Sequence, residues 1–254
     1  MKENILDKDQ IQDIRVCGHK LAKVLDTVAK AVKPGVSASE LNEIAEKELD
    51  KEGIIPSFKN YYVPGVGNYP SSLCVSKNAE IVHGLPTRAK LLFEGDIVSL
   101  DIGAGYRGIY TDMAITLPVG HISEDAERLI NATKSSLYAA IPFAKAGNHL
   151  GDIGAAIETI ARQDKLGIVR EYVGHGIGTK PHLWPQIPNY GEAGSGPLIT
   201  EGMALAIEPM LTLKGERTSL SPDGWTVLTH DRAPAAHFEH TVVVIDGMPV
   251  IVTQ

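Results

Sequence analysis

Val98-Ser99-Leu100-Asp101-Ile102-Gly103-Ala104-Gly105-Tyr106-Arg107-Gly108-Ile109-Tyr110-Thr111-Asp112-Met113 is the stretch on which the fold turns. Apolar residues alternate with small or polar ones, as in a half-buried strand. Gly103, Gly105 and Gly108 cluster where the chain must reverse. The pattern predicts a β-hairpin over about 96–117. Asp101 shares a strand face with Ser99 and Gly103, opposite Val98, Leu100 and Ile102, while Asp112 shares its face with Tyr110 and Ala114. Aspartate is depleted in strand interiors. A hairpin that brings two carboxylates together on one face also makes them repel. A positive charge between them resolves the conflict, and a divalent metal ion is the simplest candidate.

The surrounding chain is that of an ordinary folded protein. Its 254 residues are 43% hydrophobic and 22% charged, which suits a folded domain and not a disordered chain. The length suits one large domain or two fused halves. The net charge of -7 argues against direct binding of nucleic acid, which calls for a basic face. Two cysteines, Cys17 and Cys74, do not make a disulfide framework and fit a reducing cytosol. The start, Met1-Lys2-Glu3-Asn4-Ile5-Leu6-Asp7, lacks the apolar core of a signal peptide. No apolar run approaches the roughly 20 residues that span a bilayer. A cytoplasmic protein with no membrane partner is expected.

Outward from the hairpin, helical spacing of Ile11, Ile14, Leu21, Val24, Leu25, Val28 and Val32 predicts a helix over 8–32, stopped by Pro34-Gly35. Ser37-Ala38-Ser39-Glu40 is a capping box for a second helix to about Glu52, closed by Gly53. Residues 54–70 read as a loop holding the aromatics Phe58, Tyr61, Tyr62 and Tyr69. Two short strands follow over 71–83, broken at Lys77-Asn78. After the hairpin, helices are expected from Ser123 to about Ala146 and from Leu150 to Lys165. Strands are then expected at about 168–173, 203–212, 225–229, 236–245 and 249–253, with a long proline-bearing loop over 180–197. Helices, strands, helices, strands: this order predicts two α+β halves and not a parallel βαβ sheet.

The second half supplies three more polar residues in apolar settings. Gly174-His175-Gly176-Ile177-Gly178 sets a histidine between glycines at a strand end. Ala204-Leu205-Ala206-Ile207-Glu208-Pro209-Met210 and His237-Phe238-Glu239-His240-Thr241-Val242 each bury a carboxylate in an apolar strand. An unpartnered buried carboxylate costs several kcal/mol or takes up a proton. Taken singly, a strand aspartate is more often an edge or turn residue, and a lone histidine a surface or hydrogen-bonded core residue. Five such features together point to a site. Four carboxylates and an imidazole suit manganese, iron, cobalt or zinc. Four negative charges exceed what one ion balances, whereas two ions bridged by carboxylates balance them and activate a water for hydrolysis. The glycines at 174–178 do not have the spacing of a phosphate loop, and His175 and His182 are not at the i, i+4 spacing of a helical zinc motif.

The set Asp101, Asp112, Gly-His175-Gly-Ile-Gly, Ile-Glu208-Pro-Met and Phe-Glu239-His-Thr resembles the metal site of the type I methionine aminopeptidases. The likeness also takes in Val-His83-Gly-Leu-Pro and Asp-Gly-Trp225-Thr-Val, and runs from the first helix to the last strand. It implies the α+β "pita-bread" fold, two pseudo-symmetric halves around a central antiparallel sheet. It implies two divalent ions (Co, Mn, Fe, Zn or Ni). Asp101 would bind one, Asp112 and Glu239 would bridge both, and His175 and Glu208 would hold the other. Glu208 would also take a proton from the attacking water, His182 would polarise the scissile carbonyl, and His83 would lie beside the substrate amide. Tyr69, Cys74 and Trp225, with His83 and His182, would bind the substrate methionine, although packing alone also accounts for Tyr69, Cys74 and Trp225. The implied reaction is removal of the initiator methionine, with a small second residue preferred. The implied partners are N-termini of nascent polypeptides at the ribosome, for a monomeric enzyme.

Some positions depart from the family pattern. Pro181 stands where an aromatic usually precedes the second histidine, Leu183 where an acid follows it, and His237 where a glutamine is usual. Val63 and Val66 stand at a pocket cysteine and tyrosine. Two other readings remain open: a proline-specific peptidase of the same fold, and a non-catalytic binding module.

Overall fold

The computed structural model describes residues 5–254; the part of the leader reading that rests on Met1–Asn4 lies outside the described residues. Nine strands form one antiparallel sheet: β1 (Ile55–Pro56), β2 (Cys74–Lys77), β3 (Ile97–Tyr106), β4 (Ile109–Pro118), β5 (Gly174–Gly176), β6 (Leu183–Ile187), β7 (Ala204–Ile207), β8 (Glu239–Ile245) and β9 (Met248–Ile251). Neighbours run β1-β3-β4-β8-β7-β5-β6, with β2 beside β3 and β9 beside β8. The hairpin β3–β4 is its longest ladder and lies where the two halves meet through β8.

The helices form where the local signals place them. In α1 (Lys8–Lys30), Asp7 and Gln10 make a capping box. In α2 (Ala38–Glu52), Ser37 and Glu40 do the same, and Gly53 closes the helix at φ 66. Leu21, Val24, Leu25 and Leu41 of this pair pack on Val98, Leu100 and Ile102. In the second half, α3 (Glu124–Ala140) and α4 (Leu150–Gln163) bring Leu137, Leu150, Ile153 and Ile157 onto Leu205, Ile207, Val242 and Val244. Each fully buried leucine or isoleucine contributes about 1.5–3 kcal/mol. By strand alternation, Asp101 and Glu239 then point to the opposite face of the sheet.

The structure redraws several expected boundaries. α3 stops at Ala140 and gives way to a 3-10 turn over Ile141–Phe143, because Pro142 cannot donate to the helix ladder. The hairpin turn is Arg107-Gly108, both at positive φ. Gly103 and Gly105 do not turn the chain. They lie within β3, where a Cβ on Gly103 would strike Ser57 Oγ and a Cβ on Gly105 would meet the Tyr110 ring at 2.8 Å. The strand expected over 203–212 breaks after Ile207, where Pro209 lacks an N–H for the ladder. The strand expected over 236–245 breaks at Phe238. Beyond both breaks the chain joins a second sheet of Gly167–Ile168, Met210–Thr212 and Ala235–His237. The strand expected over 168–173 is reduced to Gly167–Ile168. The 180–197 loop instead holds the edge strand β6, with Pro185 at a register shift, a position where proline is tolerated. Residues 54–70 contain a small hairpin, Tyr62–Val63 with Gly67–Asn68. Among the described residues, no helix is long and apolar enough to cross a membrane.

Candidate metal centre

Strand register assembles the site. Asp101 lies opposite Ala114 on β4, and Ala114 lies opposite Glu239 on β8. The two carboxylates therefore flank one small residue, with Asp112 two positions along on the same face. Asp112 is held by Thr241: its N–H donates to Thr241 Oγ1 at 2.9 Å, and that hydroxyl donates to the Asp112 carbonyl at 2.8 Å. On the other side, His175 lies opposite Ala206, and Glu208 follows β7 directly.

Three overlapping groups result, each with donor atoms within 4.8 Å of one another: Asp101, Asp112 and Glu239; His175, Glu208 and Glu239; and Asp112, His175 and His182. All five residues expected as ligands fall in the first two groups, which share Glu239. Asp101 Oδ1, Asp112 Oδ1 and Glu239 Oε1 are buried without a hydrogen-bond partner. Burial pushes the Asp101 carboxyl up to about 7. Burial, joined by repulsion among these carboxyls, raises Asp112, Glu208 and Glu239 well above the ordinary range. Orphaned, mutually repelling oxygens of this kind are stable as carboxylates only around a cation. The residues present therefore fit divalent ions, and the oxygen-rich, one-imidazole set fits hard or borderline ones.

The histidines sit in distinct surroundings. His175 Nδ1 donates to the Gly176 carbonyl at 2.9 Å, which leaves the Nε2 lone pair free as a ligand. Nε2 faces Glu208 Oε1 at 3.5 Å, and burial lowers the ring's pKa to about 3. His182 is the exposed member at the cavity mouth, its ring 4.5 Å from that of His175 and 4.9 Å from that of Tyr61. His83 follows the strand Glu80–Val82 with φ 58, a left-handed conformation that costs a non-glycine residue about 1–3 kcal/mol and clusters at functional sites. Burial lowers its pKa to about 4, so the ring is neutral near pH 7.

These groups border a cavity of about 300 Å³. Its other end is apolar. Cys74 lies opposite Asp101 on β2, and the Tyr69 ring meets the Trp225 indole edge-on at 5.1 Å. The Tyr69 hydroxyl donates to the Gly84 carbonyl at 3.2 Å. Burial raises both the Tyr69 hydroxyl and the Cys74 thiol, so both stay neutral. Phe58, Tyr61, Val82 and Tyr172 also line the cavity and were not expected there. The aromatic-rich loop signalled the first two, and nothing in the sequence marks Tyr172. Of the two departures in that loop, Val63 lines the cavity and Val66 is exposed.

Comparison with known proteins agrees with this geometry. The chain is 41% identical over 249 residues to a methionine aminopeptidase of Clostridium acetobutylicum, covering 98% of each chain. A crystal structure of methionine aminopeptidase from Thermotoga maritima superposes with a TM-score of 0.95 at 39% identity, over 98% of both chains. A prolidase from Pyrococcus furiosus shares the fold, with a TM-score of 0.78 at 19% identity over 99% of this chain and 66% of that one. The likeness to both fits the mixed α+β, pita-bread architecture built on the curved antiparallel sheet. The model of metallopeptidase family M24 matches residues 12–246, and the chain belongs to that family.

Proposed function

We propose that this metallopeptidase removes the initiator methionine from the N-termini of nascent polypeptides, as a single catalytic domain over residues 1–254 that holds two divalent ions. The observation that carries the reading is the pair of donor groups sharing Glu239, set against the apolar end of one cavity. In this reading Asp101, Asp112 and Glu239 would hold one ion, and His175 and Glu208, with Glu239, the other. Bound divalent ions supply Lewis acidity, which polarises the scissile carbonyl and lowers the pKa of water.

The chain's own residues do the rest. A Glu208 carboxylate oxygen accepts a proton from the attacking water and returns it to the leaving amine. The exposed His182 ring points its N–H at the substrate carbonyl, where negative charge develops. His83, neutral and held in one backbone conformation, hydrogen-bonds the amide of the scissile bond. Tyr69, Cys74 and Trp225 surround the methionine side chain, whose unbranched thioether suits aromatic edges. The apolar walls exclude water from the first residue. The reading extends to a cytoplasmic monomer that meets its substrates at the ribosome, without binding nucleic acid or membrane directly.

The test is a Met-Ala-Ser peptide and an Xaa-Pro peptide, each incubated with the protein and manganese or cobalt, with metal content measured in parallel. Methionine release with little Xaa-Pro cleavage is expected. Failure to release methionine with any first-row divalent metal overturns the proposal, and cleavage of Xaa-Pro alone moves the chain to the proline-specific branch of the fold.

A further inference from the structure

Among the buried imidazoles that the mechanism leaves unused is that of His237. His237 is 1% exposed, and neither ring nitrogen has a hydrogen-bond partner among the described residues. Its backbone is clamped on both sides by one hydroxyl: the His237 N–H donates to Thr116 Oγ1 at 2.8 Å, and Thr116 Oγ1 donates to the His237 carbonyl at 2.8 Å. Thr116 Oγ1 also lies 2.8 Å from Ser99 Oγ on β3. The ring is thus carried on a fixed point of the sheet. From there Nε2 lies 3.6 Å from Glu208 Oε2, while the other oxygen, Oε1, faces His175 Nε2 at 3.5 Å. His237 belongs to none of the three donor groups and does not line the cavity, while its ring faces Glu208.

An apolar side chain would fill this place without leaving two polar atoms unpaired, and burying such atoms is costly. Glu208 meanwhile sits just past the end of β7, where the strand breaks. Its main-chain carbonyl is held by Asn189 Nδ2 at 3.1 Å. The terminal torsion of a glutamate is broad and roughly two-fold, so the carboxylate plane needs a separate anchor.

We propose that His237 is a positioning residue for Glu208: its Nε2–H donates to Glu208 Oε2 and sets the carboxylate plane, so that Oε1 stays beside His175. The gap of 3.6 Å closes with a small ring rotation when the site is loaded; such contacts are often long in unliganded sites and tighten in the working complex. A partner that orients a ligand in this way typically governs metal affinity as well as turnover. This inference rests on the metallopeptidase reading of Glu208.

The test uses the whole chain, stripped of metal, as wild type, His237→Leu and His237→Gln. Mn²⁺ binding is titrated calorimetrically, and kcat and KM are measured on Met-Ala-Ser. His237→Leu is expected to weaken Mn²⁺ binding about 10- to 100-fold and to lower kcat by a similar factor with little change in KM. His237→Gln, which restores an N–H donor of similar reach, is expected to recover most of both losses. A His237→Leu protein that matches wild type in affinity and kcat overturns the inference, as does a His237→Gln protein no better than His237→Leu. If wild type binds no Mn²⁺ and releases no methionine, the functional reading fails and takes this inference with it. A measurement independent of variant folding is the nitrogen NMR spectrum of the wild-type histidines: the proposal requires the proton of neutral His237 on Nε2, and a proton on Nδ1 contradicts it.

Discussion

The two halves of the molecule build their shares of the site in different ways. The first half uses one continuous hairpin, in which β3 and β4 pair without interruption from Ile97–Pro118 to Tyr106–Ile109. Asp101 and Asp112 are both buried there, on one face of a rigid ladder. The second half uses short, broken strands: three residues of β5, four of β7, and the start of β8 beside a break at Phe238. His175, Glu208 and Glu239 come from three separate segments, and His182 lies at an exposed rim. Each half brings two carboxylates: the hairpin fixes Asp101 and Asp112 on one continuous ladder, while Glu208 and Glu239 sit where strands end or break.

That contrast is broken most sharply by removing the Glu208 carboxylate without touching the hairpin. Glu208→Gln is expected to lower kcat by about 10²- to 10⁴-fold, while Asp101, Asp112 and Glu239 continue to retain one ion. Steady-state kinetics with metal analysis checks both parts; loss of all metal would show that Asp101, Asp112 and Glu239 do not hold an ion without Glu208. Next in size is the rim. His182→Ala is expected to lower kcat about 10²- to 10³-fold with metal content unchanged, and unaltered turnover would remove its proposed contact with the carbonyl.

The stiff half also makes a prediction about pH. In the metal-free fold the carboxyl pKa values lie above their unfolded values, with Asp101 at about 7 against an ordinary 3.8. Stability from such groups is complete below the unfolded pKa and is lost as pH rises through the folded one. His175 works in the opposite sense, its pKa falling from 6.5 to about 3. Its contribution is complete above 6.5, so it adds no slope there. Between about pH 6.5 and 8.5 the metal-free protein is therefore expected to lose Tm, while the metal-loaded protein, with ions between the carboxylates, is not. Calorimetry in both states measures the gap, and a gap that stays constant with pH contradicts the charge-crowded site.

Sequence reading reached the hairpin and its two aspartates because alternation exposes a misplaced charge directly. It reached Glu208 and Glu239 for the same reason, and it reached His175 because flanking glycines stand out in an apolar strand. It misread Gly103 and Gly105 as turn residues: what they avoid is Ser57 and the Tyr110 ring, and neither contact is visible from spacing. It also ran two strands through Glu208-Pro209 and Phe238, where the chain changes sheets. Hydrophobicity continues across those points, so periodicity carries no sign of the break. Tyr172 and the His237–Glu208 contact depend on long-range packing and left no local mark.

The smallest expected effect concerns the quiet end of the cavity. Tyr69→Phe removes the hydrogen bond to the Gly84 carbonyl and is expected to cost about 0.5–1.5 kcal/mol of stability, with metal binding unaffected. Denaturant unfolding of the two proteins checks it. A loss of metal would show that the apolar and charged ends are less separate than their layout indicates.

The central claim is that the two halves share a pair of cations. It is tested most directly by anomalous diffraction from crystals of the whole chain soaked in Mn²⁺. The account predicts two peaks, one beside Asp101 and Asp112 and one beside His175 and Glu208, with Glu239 touching both. A single peak served by one half alone, or no peak among these side chains, would contradict it.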